Sequence, residues 1–548
     1  MKINAIVLFL FVFSLCACFD DKGNYDYREV AEITIENVPE VIEVLGNSDH
    51  IVVKPKVVSS LEGEITGDNA NFEFSYKIEI KGGGTIESGQ RWVDLNPAKT
   101  LDLDTLAAFV ANTYAGWFSV TDKRSGVQTS ATFDIKVSSP TYEGWMVLCN
   151  EGKQERVRMD RISVISAERV IPAYDVLTPL GLPELKQAKG IGFYPNRFAN
   201  PADVIYVMSG EGTFKIDRET FKTDASWNIR NIDFIIPPGD ENVICYTPVN
   251  NASTAGALAC ICVTDVGNAY VQVFDAAGAA FEYPVNTSIR GSVPEFRVAP
   301  YVGVSMARPG NGSTALLYDV DNRQFVGWKY GYDDDAMQTL TPLPDPENGL
   351  FSFKTGMELV YMESTRYSSG LVYAIFKDNA GKRSIYGINM SGNGFVQEAK
   401  YENLNAPDFD KATSFAFHSQ FPYMFYAVDN KVYLHNLGTN TTFPMDNIVL
   451  GDNEEVTMLK FNLYRQCSLD DLNNQSDEFM ARQYELMVGS YNHSALENNG
   501  GRLGFYPVDG VNNSVTKRTE YSGFAKIKDV VYRERREGVR MFFGKNVC

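Results

Sequence analysis

The sequence predicts an all-β protein, an immunoglobulin-like sandwich followed by a β-propeller. Three observations carry this. Residues 30–137 hold short strand-forming runs separated by polar turns. From Gly144 onward, paired apolar strands return at a coarse, regular interval. The chain is also rich in residues suited to strands and turns, with 29 Tyr, 34 Phe and 44 Gly.

Residues 1–17 read as a signal peptide. Lys2 supplies a basic start, and residues 6–15 are almost wholly apolar. That stretch is too short to span a bilayer, which takes about 20 residues. Leu15-Cys16-Ala17-Cys18 ends it with a small residue directly before a cysteine, in the manner of a lipobox. Cys18 is therefore the expected lipidation site. Cys16 is a poorer one, because bulky Leu15 precedes it. Residues 18–29 then form a lipidated tether. Asp20, Asp21 and Lys22 follow the anchor and resemble the acidic surface-export signal of Bacteroidota lipoproteins. The resemblance implies the outer membrane, facing the extracellular side. A plain solvated tether is the alternative reading of the same residues.

Residues 30–140 form the sandwich. Phe72-Glu-Phe-Ser-Tyr-Lys-Ile-Glu-Ile80 alternates apolar and polar side chains with period two, as a half-buried strand does. Gly82-Gly83-Gly84 breaks it. Residues 114–120 and 129–137 are two further strands, joined by the polar turn Asp122-Lys-Arg-Ser-Gly126. The inter-sheet cysteines of antibody domains are absent, so the assignment rests on pattern. Asp20-Asp-Lys-Gly-Asn-Tyr-Asp-Tyr27, Leu101-Asp-Leu-Asp-Thr-Leu106, Ser119-Val-Thr-Asp-Lys-Arg-Ser-Gly126 and Gly144-Trp145 occur in order. Together they make the first 150 residues or so resemble the PKD-like lipoproteins of Bacteroidota. That resemblance implies a place beside a SusC/SusD-type outer-membrane uptake pair, and it implies no reaction.

Residues 143–540 form the propeller. Residues 144–148 open a series of strand pairs: 204–208 with 212–217, 257–263 with 269–275, and 314–318 with 324–328. The series continues through 371–376 with 384–389, 423–427 with 431–435, and 485–489 with 502–506. Starts spaced by roughly 50 to 65 residues fit internal repeats. Seven units predict seven blades, six or eight being the alternatives. Residues 525–532 form a last strand that closes the ring against the first blade. Residues 468–483 carry the one helical pattern and read as an insertion.

Composition narrows the function. With 69 Asp+Glu against 50 Lys+Arg, the chain is a poor partner for nucleic acid or anionic lipid. Cys260 and Cys262 share one face of a strand, but no second pair or nearby His completes a metal site, so they read as core. The spacing of Cys149, Cys245, Cys260, Cys262, Cys467 and Cys548 leaves their disulfide state open. Four His are scattered, and His435 reads as a packed strand residue. There is no HExxH, GxSxG, Walker or dinucleotide motif. No catalytic residue, cofactor or metal is expected. A glycosidase needs two acids about 5–10 Å apart, and the sequence singles out no such pair.

The recognition candidates lie in Gly327-Trp-Lys-Tyr-Gly-Tyr-Asp-Asp-Asp-Ala336. There Trp328, Tyr330 and Tyr332 offer flat faces, and Asp333, Asp334 and Asp335 offer acceptors. The same residues also fit a solvated loop after an aromatic core strand. Arg366-Tyr367 and Tyr491-Asn-His493 are weaker candidates. The expected function is a non-catalytic surface lipoprotein that assists a SusC/SusD-type complex, binding oligosaccharide or peptide, the transporter proteins, or both. A glycan-cleaving propeller enzyme and an adhesin are the competing classes. Cys18→Ala is expected to move the protein from the membrane pellet to the soluble fraction. Neutralising Asp20 and Asp21 is expected to keep it membrane-bound but shielded from external protease. Both outcomes are read by immunoblot.

Overall fold

The computed structural model describes residues 30–79, 92–139, 141, 143–165, 169–195, 203–217, 221–250, 257–273, 280–305, 314–330, 339–390, 394–463, 482–495 and 498–533. The export signal, Cys18 and the predicted helix at 468–481 lie outside them. The chain divides into two compact units, Met1–Ser138 and Ser139–Cys548.

In the first unit, Val41–Leu45, Gln128–Ser138, Asn112–Asp122, Phe72–Glu79 and Trp92–Asp94 form one five-stranded sheet in that order. Smaller sheets pair Ile33–Glu36, Lys56–Ser59 and Gly63–Glu64, and His50–Val53 with Leu103–Leu106. All three contribute to one core, through Val57, Ile51, Leu103, Phe74, Tyr76 and Phe118 among others. The predicted alternation holds. Phe72, Phe74, Tyr76 and Ile78 are buried, whereas Glu73, Ser75 and Lys77 are not. Buried Tyr76 keeps its hydroxyl satisfied by donating to the Leu101 carbonyl at 2.6 Å. The Asp122–Gly126 turn joins an antiparallel pair, and Gly126 takes a φ of 73°, a conformation glycine adopts without a Cβ penalty.

The second unit contains seven antiparallel sheets among the described residues, numbered I to VII here. Sheet I is Lys526–Arg533, Gly144–Glu151, Arg156–Val164 and Val170–Ala173. Sheet II is Gly190–Pro195, Asp203–Ser209 and Gly212–Asp217, and sheet III is Val243–Asn250, Ala257–Thr264 and Ala269–Val273. Sheet IV is Gly303–Val304, Thr314–Asp319, Gln324–Lys329 and Thr341–Pro342. Sheet V is Glu358–Ser364, Leu371–Lys377, Arg383–Asn389 and Val396–Tyr401. Sheet VI is Ser414–Phe417, Tyr423–Val428, Lys431–Asn436 and Thr441–Pro444. Sheet VII holds Glu454–Lys460, Glu485–Asn492, Gly501–Asp509, Ser514–Val515 and Thr519–Phe524. The strand pairs predicted from sequence are the middle strands of these sheets. The predicted last strand pairs with the first, Lys526–Arg533 running antiparallel to Gly144–Glu151.

The middle strands are buried on both faces, so they read as continuous apolar runs. Leu371, Tyr373 and Ile375 pack toward sheet VI, while Val372, Ala374 and Phe376 pack toward sheet IV. Every neighbouring pair shares such a core in this way, from I with II through VI with VII, and VII shares one with I. The unit is thus propeller-like. Cys260 and Cys262 are fully buried between sheets II and III, as the core reading expects. Cys149, Cys245, Cys260 and Cys262 are free thiols; Cys467 and Cys548 lie outside the described residues.

Polar ties reinforce the VII–I junction. Arg158, 4% exposed, donates to Asp160 at 2.7 Å, to Asn499 at 3.0 Å and to the Gly523 carbonyl of sheet VII at 3.0 Å. Removing one member leaves a buried charge without its partner. Arg158→Ala is therefore expected to cost about 3 kcal/mol, read as a lower urea midpoint with an unchanged slope.

Candidate functional site

The predicted recognition loop is divided by the structure. Trp328 is 0% exposed, so it offers no surface to a ligand. The reason is strand phase: Val326 and Trp328 point into the core shared by sheets III and IV, and Phe325 points into the core shared with sheet V. Tyr330 is half-buried and packs on the III–IV core. Tyr332, Asp333, Asp334 and Asp335 lie outside the described residues, as do Asp20, Asp21 and Lys22. Arg366 and Tyr367 follow the first strand of sheet V, and the Arg366 amide donates to Ser419 Oγ at 3.0 Å. Tyr491, near the end of the second strand of sheet VII, meets His493 edge to face at 5.3 Å. His435 is fully buried with Nδ1 2.8 Å from Thr442 Oγ1, and burial lowers its pKa to about 4. That is the packed residue its strand position predicts.

A different set of groups clusters together, side chains from six of the sheets and a backbone amide from sheet II. Each comes from the first strand of its sheet, from just before that strand, or, in sheet I, from the C-terminal strand. In sheet V, Tyr361 and Glu363 stand two residues apart, and Tyr361 donates its hydroxyl to Glu363 Oε2 at 3.2 Å. The Phe417 amide of sheet VI donates to the same oxygen at 2.9 Å. Tyr301, just before sheet IV, places its ring 5.8 Å from Tyr361, and Phe415 of sheet VI lies 5.5 Å from it. In sheet VII, Lys460 Nζ is 2.6 Å from Asp529 Oδ1 of sheet I and donates to the Val530 carbonyl at 2.8 Å. The Ile191 amide of sheet II donates to Asp529 Oδ2 at 2.9 Å. Cys245 of sheet III, its Sγ 3.7 Å from Thr247 Oγ1, is near enough to act on the Tyr301 hydroxyl.

Backbone irregularities aim these groups. The register shifts by a residue at Val243/Cys245, Leu359/Tyr361 and Val456/Met458, and again where Lys526–Arg533 passes Leu148/Cys149. A β-bulge turns side chains out of the simple alternation, and bulges gather beside functional sites.

Electrostatics single out Glu363. Burial pushes its carboxyl up to about 7, against the opposing pull of the Phe417 amide, the Tyr361 hydroxyl and Lys460. Burial also raises the Tyr361 hydroxyl well above its usual value, and the nearby charges of Glu363 and Asp529 add to it. Burial holds the Cys245 thiol up at about 11. Yet Cys245, Tyr301, Tyr361, Glu363, Lys460 and Asp529 all keep intermediate solvent exposure. These groups are thus enclosed and still reached by solvent. Glu363 Oε1 has no hydrogen-bond partner among the described residues. The arrangement can hold a ligand by aromatic contact, one acceptor and one ammonium, and it holds an acid titrating near neutrality. No group of His, Cys, Asp and Glu able to hold a metal ion is found among the described residues.

Sequence reasoning missed this set because it located sheet V from its middle strands. The available signal was an acid closing the apolar run Leu359-Val-Tyr-Met362, inside a strand that also begins with Glu358.

Comparison with known proteins adds the following. A PKD-like family profile matches residues 18–173, which take in the first unit and run into sheet I. No curated protein matches the chain. Among solved structures, a quinonprotein alcohol dehydrogenase-like protein from Bacteroides thetaiotaomicron VPI-5482 is similar at 8% identity and a TM-score of 0.41. The match covers 92% of this chain and 99% of that one. A putative 6-phosphogluconolactonase from Bacteroides fragilis NCTC 9343 is similar at 11% identity and a TM-score of 0.40, covering 72% of this chain and 99% of that one. The periplasmic gluconolactonase of Pseudomonas aeruginosa is similar at 12% identity, with the same TM-score and coverages. Likenesses this distant carry no argument about ligand or chemistry.

The raised Glu363 pKa has a signed consequence for stability. The folded state binds this proton more tightly than the unfolded state, so the contribution is fully present below pH 4.5 and is lost as pH rises through 7. Glu363→Gln is therefore expected to stabilise the protein at pH 8 by on the order of 2 kcal/mol relative to wild type. The difference should narrow by pH 5. Urea unfolding at the two pH values checks it.

Proposed function

We propose that this chain is a lipid-anchored protein of the outer-membrane surface whose second unit is a closed, seven-bladed propeller with a ligand site on its axis. It serves as a non-catalytic accessory of a SusC/SusD-type uptake complex, capturing oligosaccharide or peptide beside the transporter. The observation that carries the binding role is the clustering of Tyr301, Tyr361, Glu363, Lys460 and Asp529, enclosed yet still reached by solvent. The sharing of cores from sheet I round to sheet VII and back supports closure. The lipobox-like Leu15–Cys18 and the PKD-like match that begins at residue 18 support the address.

Affinity purification through the lipidated protein from detergent-solubilised outer membrane tests this role. Co-purification of a TonB-dependent transporter and its lipoprotein lid is the expected result. Recovery of the protein alone from membranes that contain such a pair would contradict it.

One observation favours a second reading. A carboxyl at about 7 suits a general acid, which would make the axial site catalytic. Turnover of chromogenic glycosides by the wild type and not by Glu363→Gln would establish that reading. Absence of turnover across a panel on which a reference glycosidase is active keeps the binding role.

A further inference from the structure

We infer that the axial site takes a ligand bearing a primary ammonium or guanidinium group, seated on Glu363 Oε1 beside the rings of Tyr301 and Tyr361. This rests on the proposed axial binding role and narrows it from oligosaccharide or peptide to a basic peptide or amine. The argument counts which polar atoms are already committed. Both tyrosine hydroxyls are engaged, Tyr301 donating to the Val360 carbonyl at 3.3 Å and Tyr361 to Glu363 at 3.2 Å, so what the two residues have left to offer is aromatic ring. Lys460 is neutralised by Asp529 and also bonded to the Val530 carbonyl. Asp529 has both oxygens occupied, by Lys460 and by the Ile191 and Val530 amides. Glu363 alone keeps an open oxygen, and no Lys, Arg or His among the described residues pairs with it.

A hydroxyl-rich sugar needs many open donors and acceptors, and among the described groups of this cluster one carboxylate oxygen and one Lys460 N–H remain. An anion would meet Lys460 with two carboxyls beside it. Lys460 is paired with Asp529 and acts on Glu363 without pairing with it, so a cation supplies the direct ion pair that the enclosed carboxylate lacks, and the rings of Tyr301 and Tyr361, in edge-to-face contact with centroids 5.8 Å apart, add quadrupolar attraction.

Binding of a cation should displace the proton from Glu363. Tyr361 on its own strand and Lys460 from sheet VII act on Glu363 directly, and Tyr373 stands opposite it on the paired strand; Tyr301 before sheet IV and Asp529 from sheet I act on Tyr361, and Cys245 of sheet III acts on Tyr301. Sheet VI contributes only Phe415 and Phe417 there. Burial holds the tyrosines far above neutrality, so they do not titrate in this range.

Calorimetric titration of the full chain tests this with three probes: glycyl-lysine, the same dipeptide acetylated on both amines, and maltotriose. Runs at pH 6, 7 and 8 in two buffers of different ionisation enthalpy count the proton. Glycyl-lysine is expected to bind about tenfold more tightly at pH 8 than at pH 6, with proton release at pH 7. The acetylated dipeptide should fail to bind, and Glu363→Gln should lose the glycyl-lysine while remaining folded by circular dichroism. Equal affinity for the charged and acetylated dipeptides, or unchanged binding by Glu363→Gln, would overturn the inference. Maltotriose bound by the wild type and lost in Glu363→Gln, with glycyl-lysine inert, would overturn it and leave the axial role standing. Failure of all three probes would overturn both.

Discussion

The pairing of Lys526–Arg533 with Gly144–Glu151 is the constraint on which the second unit depends. It unites residues almost four hundred positions apart in one sheet. Without it, Gly144–Glu151 would present an unpaired edge, and the core between sheets VII and I would lose Ile527, Val530 and Tyr532. The strand carries a one-residue register shift, so Ile527 and Val530 both reach that core despite being three positions apart. The same shift leaves Asp529 free to meet Lys460 and the Ile191 amide. One pairing therefore completes a core and positions Asp529 in its cluster with Lys460.

The cluster works against the packing that surrounds it. Continuous apolar strands suit sheets buried on both faces, and they also create the low-dielectric wall that penalises a charge. Asp529 escapes the penalty through Lys460 and two backbone amides. Glu363, with only the Phe417 amide and the Tyr361 hydroxyl on one oxygen, does not escape it, and its proton is held to near neutrality. Carboxyls perturbed in this way gather at functional sites.

The legible part of the structure follows from this contrast. Middle strands such as Leu371–Lys377 and Tyr423–Val428 are dense in apolar and aromatic residues and were visible as repeats. The closing strand was visible too, because Val530, Val531 and Tyr532 follow a polar stretch. First strands such as Glu358–Ser364 mix exposed, wetted and buried positions, so their pattern is weak, and they carry the site. Trp328 misled for a related reason. An aromatic beside an acidic run resembles a ligand platform, but the phase set by Val326 sends its ring into the III–IV core. Periodicity locates what is packed; it is poor at finding groups held by bulges and long-range partners.

Hydrogen exchange on the full chain and on a chain ending at Ala525 tests most directly whether the C-terminal pairing organises the axis. The account predicts that amides of Gly144–Glu151 and of the distant Glu358–Ser364 both lose protection when the last strand is removed. Loss confined to Gly144–Glu151, with Glu358–Ser364 as protected as before, would contradict it.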